Sequence, residues 1–228
     1  MRTFKVLSAL LSYPTSELQA AAGELRAAIA EAEGLPVATR SALRALVDEL
    51  GQADLYELQE RYVAQFDRGR RLSLHLFEHV HGESRDRGQA MVDLIAAYRA
   101  HGLELAAREL PDYLPLFCEF LAQIPDPQAL DLLRDAMPVL ELLGARLHAR
   151  ASGYASVFDA LLAIGGRRVD EAAALRRVAD EGPDETIEQM DRIWEEEAVS
   201  FLGTSSAACQ RAGTMEQPLR PMARPRCS

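Results

Sequence analysis

Between Leu72 and Met91 the chain reads LSLHLFEHVHGESRDRGQAM, which places His75, His79 and His81 within seven residues. His75, Glu78 and His79 form an H-x-x-E-H pattern. On a helix, at about 100° per residue, these side chains share one face, the arrangement zinc peptidases use for two metal ligands and a base. Such a site also needs a further ligand, and no one candidate stands out among many helical glutamates. His81 would point roughly the opposite way, and Gly82 follows at once. The plainer reading has Leu72, Leu74, Leu76, Phe77 and Val80 anchoring the segment in a core while its histidines and charges face water. Imidazoles titrate near neutrality, so a proton-sensing role for His79 and His81 is a further reading. Around the segment stand Arg61, Arg68, Arg70, Arg71, Arg85 and Arg87 with Asp67, Glu78, Glu83 and Asp86. Opposite charges at that density pair with one another or bind something.

The elements that must position these residues read as helices throughout. The chain of 228 residues is 48% apolar and 26% charged, enough for a substantial core, and Ala, Leu, Glu and Arg dominate its composition. The run MRTFKVLSALLSYP carries a polar stripe at Lys5, Ser8 and Ser12, so it reads as a docked first helix rather than a secretory signal. Ser16 and Gln19 suggest a capping box for a second helix closed by Gly34. A third, near 38–50, repeats Leu43, Leu46, Val47 and Leu50, with Gly51 as its C-cap. Asp54 and Glu57 open a fourth, whose Leu55, Leu58, Tyr62 and Phe66 recur at helical spacing.

Ser84 or Asp86 starts a long helix with Met91, Leu94, Ile95 and Tyr98 on one side, ending at His101-Gly102. Pro111-Asp112 precedes a wide apolar band of Tyr113, Leu114, Leu116, Phe117, Phe120 and Leu121. Residues 128–151 read as helical, with Pro138 expected to kink or split them. Further helices are expected near 154–164, 171–180 and 184–202. No window alternates long enough to argue a strand. The expectation is an all-α, single-domain helical bundle of about nine to eleven helices over residues 1–202, followed by a disordered tail over 203–228.

The formal net charge of −10 repels a phosphate backbone, so nucleic acid is not an expected partner. No apolar run approaches the roughly 20 residues that span a bilayer, so no membrane insertion is expected. Cys118, Cys209 and Cys227 form no C-x-x-C pair, which fits a reducing cytoplasm. Cys118 reads as a small core residue. The stretch from Asp180 to Glu197 holds nine carboxylates and one arginine, either a solvated helix face or a rim that attracts a basic partner. Phosphate-binding, dinucleotide-binding and nucleophile-elbow patterns are all missing. Nothing here requires a cofactor or an enzyme.

The run LFEHVHGESRDRGQAMVDL, with ELPDYLPLFCEFLAQIP, YVAQFDRGR, the early LLSYP and the late IWEEEAVSF, resembles the NarJ-like nitrate reductase assembly chaperones. These belong to the wider TorD-like family of redox-enzyme maturation proteins. The likeness covers, in order, roughly residues 1–202. It implies an all-helical cytoplasmic chaperone, not an enzyme, that binds the unassembled molybdenum-containing catalytic subunit chiefly through its N-terminal segment. The subunit would be held for iron-sulfur and molybdenum cofactor insertion before membrane docking. Contact with the machinery that delivers the cofactor is left open, and a non-catalytic helical scaffold or a zinc hydrolase remains the alternative.

The family's Y-x-x-x-F element falls on Tyr62 and Phe66. The Pro-Asp-His element of related chaperones falls on Pro111, Asp112 and Tyr113, where Tyr offers an aromatic wall with a hydroxyl in place of an imidazole. The expected mechanism is helix-in-groove recognition, with Tyr62, Phe66, Leu74, Phe77, Tyr113 and Phe117 lining the groove. Glu78, Glu83 and Asp112 would pair with client Arg or Lys. Arg85 and Arg87 would brace those carboxylates, and His79 and His81 would border the groove and tune release.

Overall fold

The first helix, α1 (Arg2–Leu11), carries Phe4, Leu7, Leu10 and Leu11 at helical spacing and removes all four from water. Burying such side chains supplies about 1.5–3 kcal/mol each, and this drives the docking of α1 along a later helix, α8 (Leu114–Gln123). Ser8, from the expected polar stripe, donates its hydroxyl to Pro115 O at 2.7 Å, so the stripe is used in part as a seam. The computed structural model describes residues 2–82, 84–105 and 109–167, together with 176, 178 and 179. The expected helix over 184–202, the acidic run from Asp180 to Glu197 and the tail over 203–228 lie outside the described residues, as does the expected helix over 171–180 apart from those three positions.

The second expected helix is two, α2 (Ser16–Ala20) and α3 (Ala22–Ala30). Its cap is Thr15, whose Oγ1 accepts from Leu18 N at 3.2 Å, and not Ser16. Gln19 is occupied elsewhere. Its amide donates to Leu50 O at 3.0 Å and Ala53 O at 2.9 Å, satisfying carbonyls at the C-terminal end of α4 (Val37–Gln52). Within α4, Leu43, Leu46, Val47 and Leu50 are buried as their period requires. Gly51 is not a C-cap. It lies inside the helix where a Cβ would stand 2.9 Å from Ala22 Cβ, so its bareness lets another helix approach.

Asp54 caps α5 (Leu55–Phe66), its Oδ1 accepting from Tyr56 N and Glu57 N at 2.9 and 3.2 Å. A 3-10 turn (Arg70–Leu72) then leads to the short α6 (Leu76–His81) and to α7 (Asp86–Ala100). Along α7 only Tyr98 is buried, while Met91, Leu94 and Ile95 are half-buried and Val92 is 58% exposed.

The helix α9 (Asp126–Ala149) runs unbroken through Pro138. Pro138 and Arg134 both face water, so the carbonyl that the proline leaves without its helical partner is at the solvated side. Two short helices, α8 and α10 (Ala155–Ile164), are buried on most sides and form the middle of the bundle, with α1 against the first and α9 against both. Cys118 is wholly buried in α8, where desolvation pushes its thiol pKa up to about 12. Among the described residues there are ten α-helices and no strand, only an isolated antiparallel bridge between His75 and Tyr113. None of these helices is long and apolar enough to cross a membrane.

Two glycines separate propensity from packing. An alanine gains about 1 kcal/mol over glycine in a helix interior, whereas overfilling a tight contact costs about 1–3 kcal/mol. Gly23→Ala, with nothing within 4 Å of the added methyl, is expected to stabilise by up to about 1 kcal/mol. Gly51→Ala is expected to lose about 1 kcal/mol in urea unfolding, because Ala22 offers no flexible end to move. Equal stabilisation by both changes would show that α3 and α4 do not touch there.

Candidate functional site

The histidine segment meets the start of α8 at a crossing built around Asp112, whose side chain is wholly buried. Its backbone carbonyl accepts from Leu76 N at 3.1 Å, and its carboxylate Oδ2 accepts from Phe77 N at 3.0 Å. These are first-turn amides of α6, which has no side-chain cap of its own, so Asp112 caps that helix from a distant part of the chain. The His75 Nδ1–H donates to the other carboxylate oxygen at 3.3 Å, and Leu114 N donates to Leu74 O at 2.8 Å. Two tyrosines and a serine complete the clamp. Tyr98 donates to Pro111 O at 2.6 Å, Ser8 holds Pro115 O, and Tyr62 donates to Leu11 O at 2.7 Å. With its proton engaged there, Tyr62 accepts from the Tyr113 hydroxyl at 3.0 Å.

The H-x-x-E-H reading does not survive this geometry. His75 precedes α6 with extended backbone and turns its ring onto Asp112. His79 donates from Nε2 to Ser73 O at 2.8 Å, and Glu78 accepts from Arg87 at 3.2 Å. The three side chains therefore go to different partners. Among the described residues no group of three or more His, Cys, Asp or Glu is placed to hold a metal ion.

The expected open groove is corrected as well. Tyr62, Phe66, Leu74 and Phe117 belong to the core, and Asp112 turns its carboxylate inward, where no client cation reaches it. Phe77 and Tyr113 are half-buried, as are Glu78, His79 and His81, while Arg85 is exposed at the start of α7. Phe77 rests edge-on against His81, with ring centres 5.6 Å apart. Arg87 does brace Glu78. Glu83 lies outside the described residues.

What reaches the surface is the outer edge of an aromatic cluster that the sequence reading only half anticipated. Tyr62 packs on Phe66 with ring centres at 4.9 Å, and Tyr154 meets Phe66 edge-on at 5.0 Å. Tyr13 meets Tyr62 edge-on at 5.5 Å and remains 45% exposed. Leu110, whose carbonyl accepts from Tyr113 N, is 46% exposed. The buried pair is thus a floor, and Tyr13, Tyr113 and Tyr154 are its wetted edges. Desolvation raises the phenol pKa of Tyr62, Tyr113 and Tyr154, and the negative charge of Glu109 and Asp67 acts on Tyr113 in the same direction. Beside Tyr154 opens a cavity of about 200 Å³ with Leu46, Leu58, Arg61 and Arg150 in its walls. Tyr13 and Tyr154 were legible only as helix-flanking residues, because their partner Tyr62 is distant in sequence.

Residues 16–160 match the family described as nitrate reductase delta subunit. The chain is 48% identical over 197 residues to the nitrate reductase molybdenum cofactor assembly chaperone NarJ of Escherichia coli K12, covering 86% of this chain and 84% of that protein. It is 42% identical over 211 residues to the NarW protein of the same strain, covering 92% and 87% of the two chains. A Bacillus subtilis NarJ is 33% identical over 175 residues, covering 75% of this chain and 94% of its own.

The two histidines at the crossing titrate in opposite senses. The hydrogen bond to Asp112 raises the His75 pKa, so its stabilising contribution is full below about pH 6.5 and is lost as pH rises through the raised value. Burial lowers the His79 pKa, so protonating it opposes folding as pH falls below about 6.5. His79→Gln is therefore expected to flatten the acid-side loss of stability between about pH 7 and 5, measured by urea unfolding at each pH. Asp112→Ala, which strands the Phe77 amide and the His75 ring, is expected to cost about 2–5 kcal/mol at neutral pH in the same assay.

Proposed function

The chain belongs to the nitrate reductase delta subunit family, and from that premise we propose that it is a chaperone for the molybdenum-containing catalytic subunit of a respiratory nitrate reductase. It binds that subunit before the cofactor is in place, chiefly through the subunit's N-terminal segment. It holds the subunit in the cytoplasm for iron-sulfur and molybdenum cofactor insertion and is absent from the finished enzyme. Its work is binding, with no bond made or broken.

The observation that carries the reading is the aromatic cluster running from core to surface. A rigid floor of Tyr62 and Phe66 holds the exposed edges of Tyr13 and Tyr113 at fixed positions, so little order is lost when an apolar face of a peptide covers them. The neighbouring carboxylates of Glu109 and Asp67 favour a segment that also carries Lys or Arg. Phe77, His81 and Arg85 stand on the adjoining α6–α7 stretch and would extend the contact. Glu78 and His79 are spent within the fold and would act by holding that stretch in place. Tyr62, Phe66, Leu74, Phe117 and Asp112 support the surface from beneath.

Calorimetry with a synthetic peptide of the catalytic subunit's N-terminal segment is expected to give saturable heat with the full chain. Replacing both Tyr13 and Tyr113 by Ala is expected to weaken binding about tenfold or more, about 1.4 kcal/mol. Tyr56→Ala, at an 80% exposed position with no ring contact in the cluster, should leave the affinity unchanged. No heat from the wild-type chain would sink the reading. Equal capture of the unfinished and the mature enzyme in a pull-down would favour a scaffold instead.

A further inference from the structure

The cavity of about 200 Å³ beside Tyr154 opens where the end of α9 passes into α10, against α4 and α5. Leu46, Leu50 and Leu58 make its apolar floor, and Arg150 stands exposed at its mouth. Arg61 and Glu49, also in its wall, are paired at 2.7 Å and cancel in charge, which leaves Arg150 in excess. We propose that this cavity binds a small aliphatic carboxylate, its tail on the leucines and its oxygens between Arg150 and the Tyr154 hydroxyl. The site is argued from this chain's own groups and goes beyond the chaperone reading.

The polar groups that would hold the carboxylate are unspent. Among the described residues the Arg150 guanidinium has no carboxylate partner, and the Tyr154 hydroxyl has no hydrogen-bond partner. Burial raises the Tyr154 phenol pKa, and the opposed charges of Glu49 and Arg61 both act on it, so the hydroxyl lies within range of the ion pair in the cavity wall. Gln65 accepts from the Ser152 hydroxyl at 2.9 Å, while its amide nitrogen is buried with no acceptor. A buried donor left unmet is costly, and a ligand oxygen at this wall would meet it.

The walls are preformed. Ala151, at φ 51°, takes the left-handed conformation that glycine usually supplies, and the amides of Ala151 and Ser152 close the end of α9 on His148 O and Leu147 O. Gly153 then passes so near α4 that a Cβ would stand 3.3 Å from Leu46 Cδ1 and 3.4 Å from Glu49 Oε2. The volume falls below the roughly 300–1,000 Å³ of pockets that enclose a drug-sized ligand, which disfavours a nucleotide and suits a short acid. A single surplus cation matches a single negative charge, and Glu49 in the wall repels a dianion. The leucine floor favours a branched apolar tail over a bare anion. Tyr154 also meets Phe66 edge-on, so a ligand on its hydroxyl steadies the aromatic cluster from behind.

The test titrates the full chain, labelled for amide NMR, with isocaproate, using isocaproamide as the neutral control and inorganic phosphate as the bare anion. Saturable shifts are expected with isocaproate at Arg61–Gln65 and Arg150–Ala155. Affinity should fall about fivefold or more for the amide, for phosphate and for the Arg150→Gln variant, and about threefold or more for Tyr154→Phe, which keeps the ring contacts. No shifts at these residues, equal affinity for the amide or for phosphate, or unchanged affinity in either variant would each overturn the proposal. The amide and phosphate arms use the wild-type chain, so they decide the matter even where a variant folds poorly. No client peptide is present, so the outcome is separate from the calorimetry that tests the chaperone reading.

Discussion

Asp112 ties together two stretches of chain lying 35 residues apart in sequence, and it does so with a carboxylate that has no contact with solvent. A buried anion is costly unless its oxygens are met by donors, and breaking such an arrangement from one side is costlier still. Here the donors are a backbone amide of α6 and the His75 ring. The short α6 would otherwise begin with unsatisfied amides, and a six-residue helix is too short to stand by its own hydrogen bonds. The crossing therefore fixes where the histidine segment lies, and the carbonyls of Pro111 and Pro115 are pinned on either side of it by Tyr98 and Ser8.

From that constraint follows the form of the candidate surface. Tyr113 is adjacent to Asp112, so its ring is held between the bridge to His75 and the Tyr62 hydroxyl, and it has little freedom left to lose. Tyr62 in turn touches Tyr13, Phe66 and Tyr154. The family-like Y-x-x-x-F pair is thus a buried foundation, and the proposed contact area lies on the residues resting on it. Rigid aromatic edges give up little conformational entropy on binding, which is why a small exposed area can still anchor a peptide.

Local chemistry was legible in the sequence, and contacts across the chain were not. The Asp54 cap, the buried stripe of α4 and the core role of Cys118 all depend on neighbours within a turn or two, and each appears as read. The errors share one cause. Ser16 and Gln19 formed a plausible box, but Gln19 found the end of α4; Gly51 resembled a helix terminus, but its small size serves the approach of Ala22. H-x-x-E-H presupposed one helix, and that helix begins, capped by a distant aspartate, one residue after His75. The aromatic pattern correctly found Tyr62 and Phe66 and assigned them to an open wall, because periodicity shows which residues share a face and not whether that face is covered.

Charge and apolar contact divide the labour of recognition differently. Long-range attraction from a net charge of −10, with Glu104, Glu109 and Glu119 exposed near apolar surfaces, raises the encounter rate with a basic segment and weakens with salt. It adds less to residence time, which depends on desolvated contacts such as those proposed for Tyr13 and Tyr113. A holding chaperone needs fast capture and release without a chemical step. Exposed, screened carboxylates combined with a few preformed aromatic edges meet both needs, whereas a deep groove of the kind expected from the sequence would have slowed departure by burying more of the client. The crossing at Asp112 is what keeps the proposed surface in position.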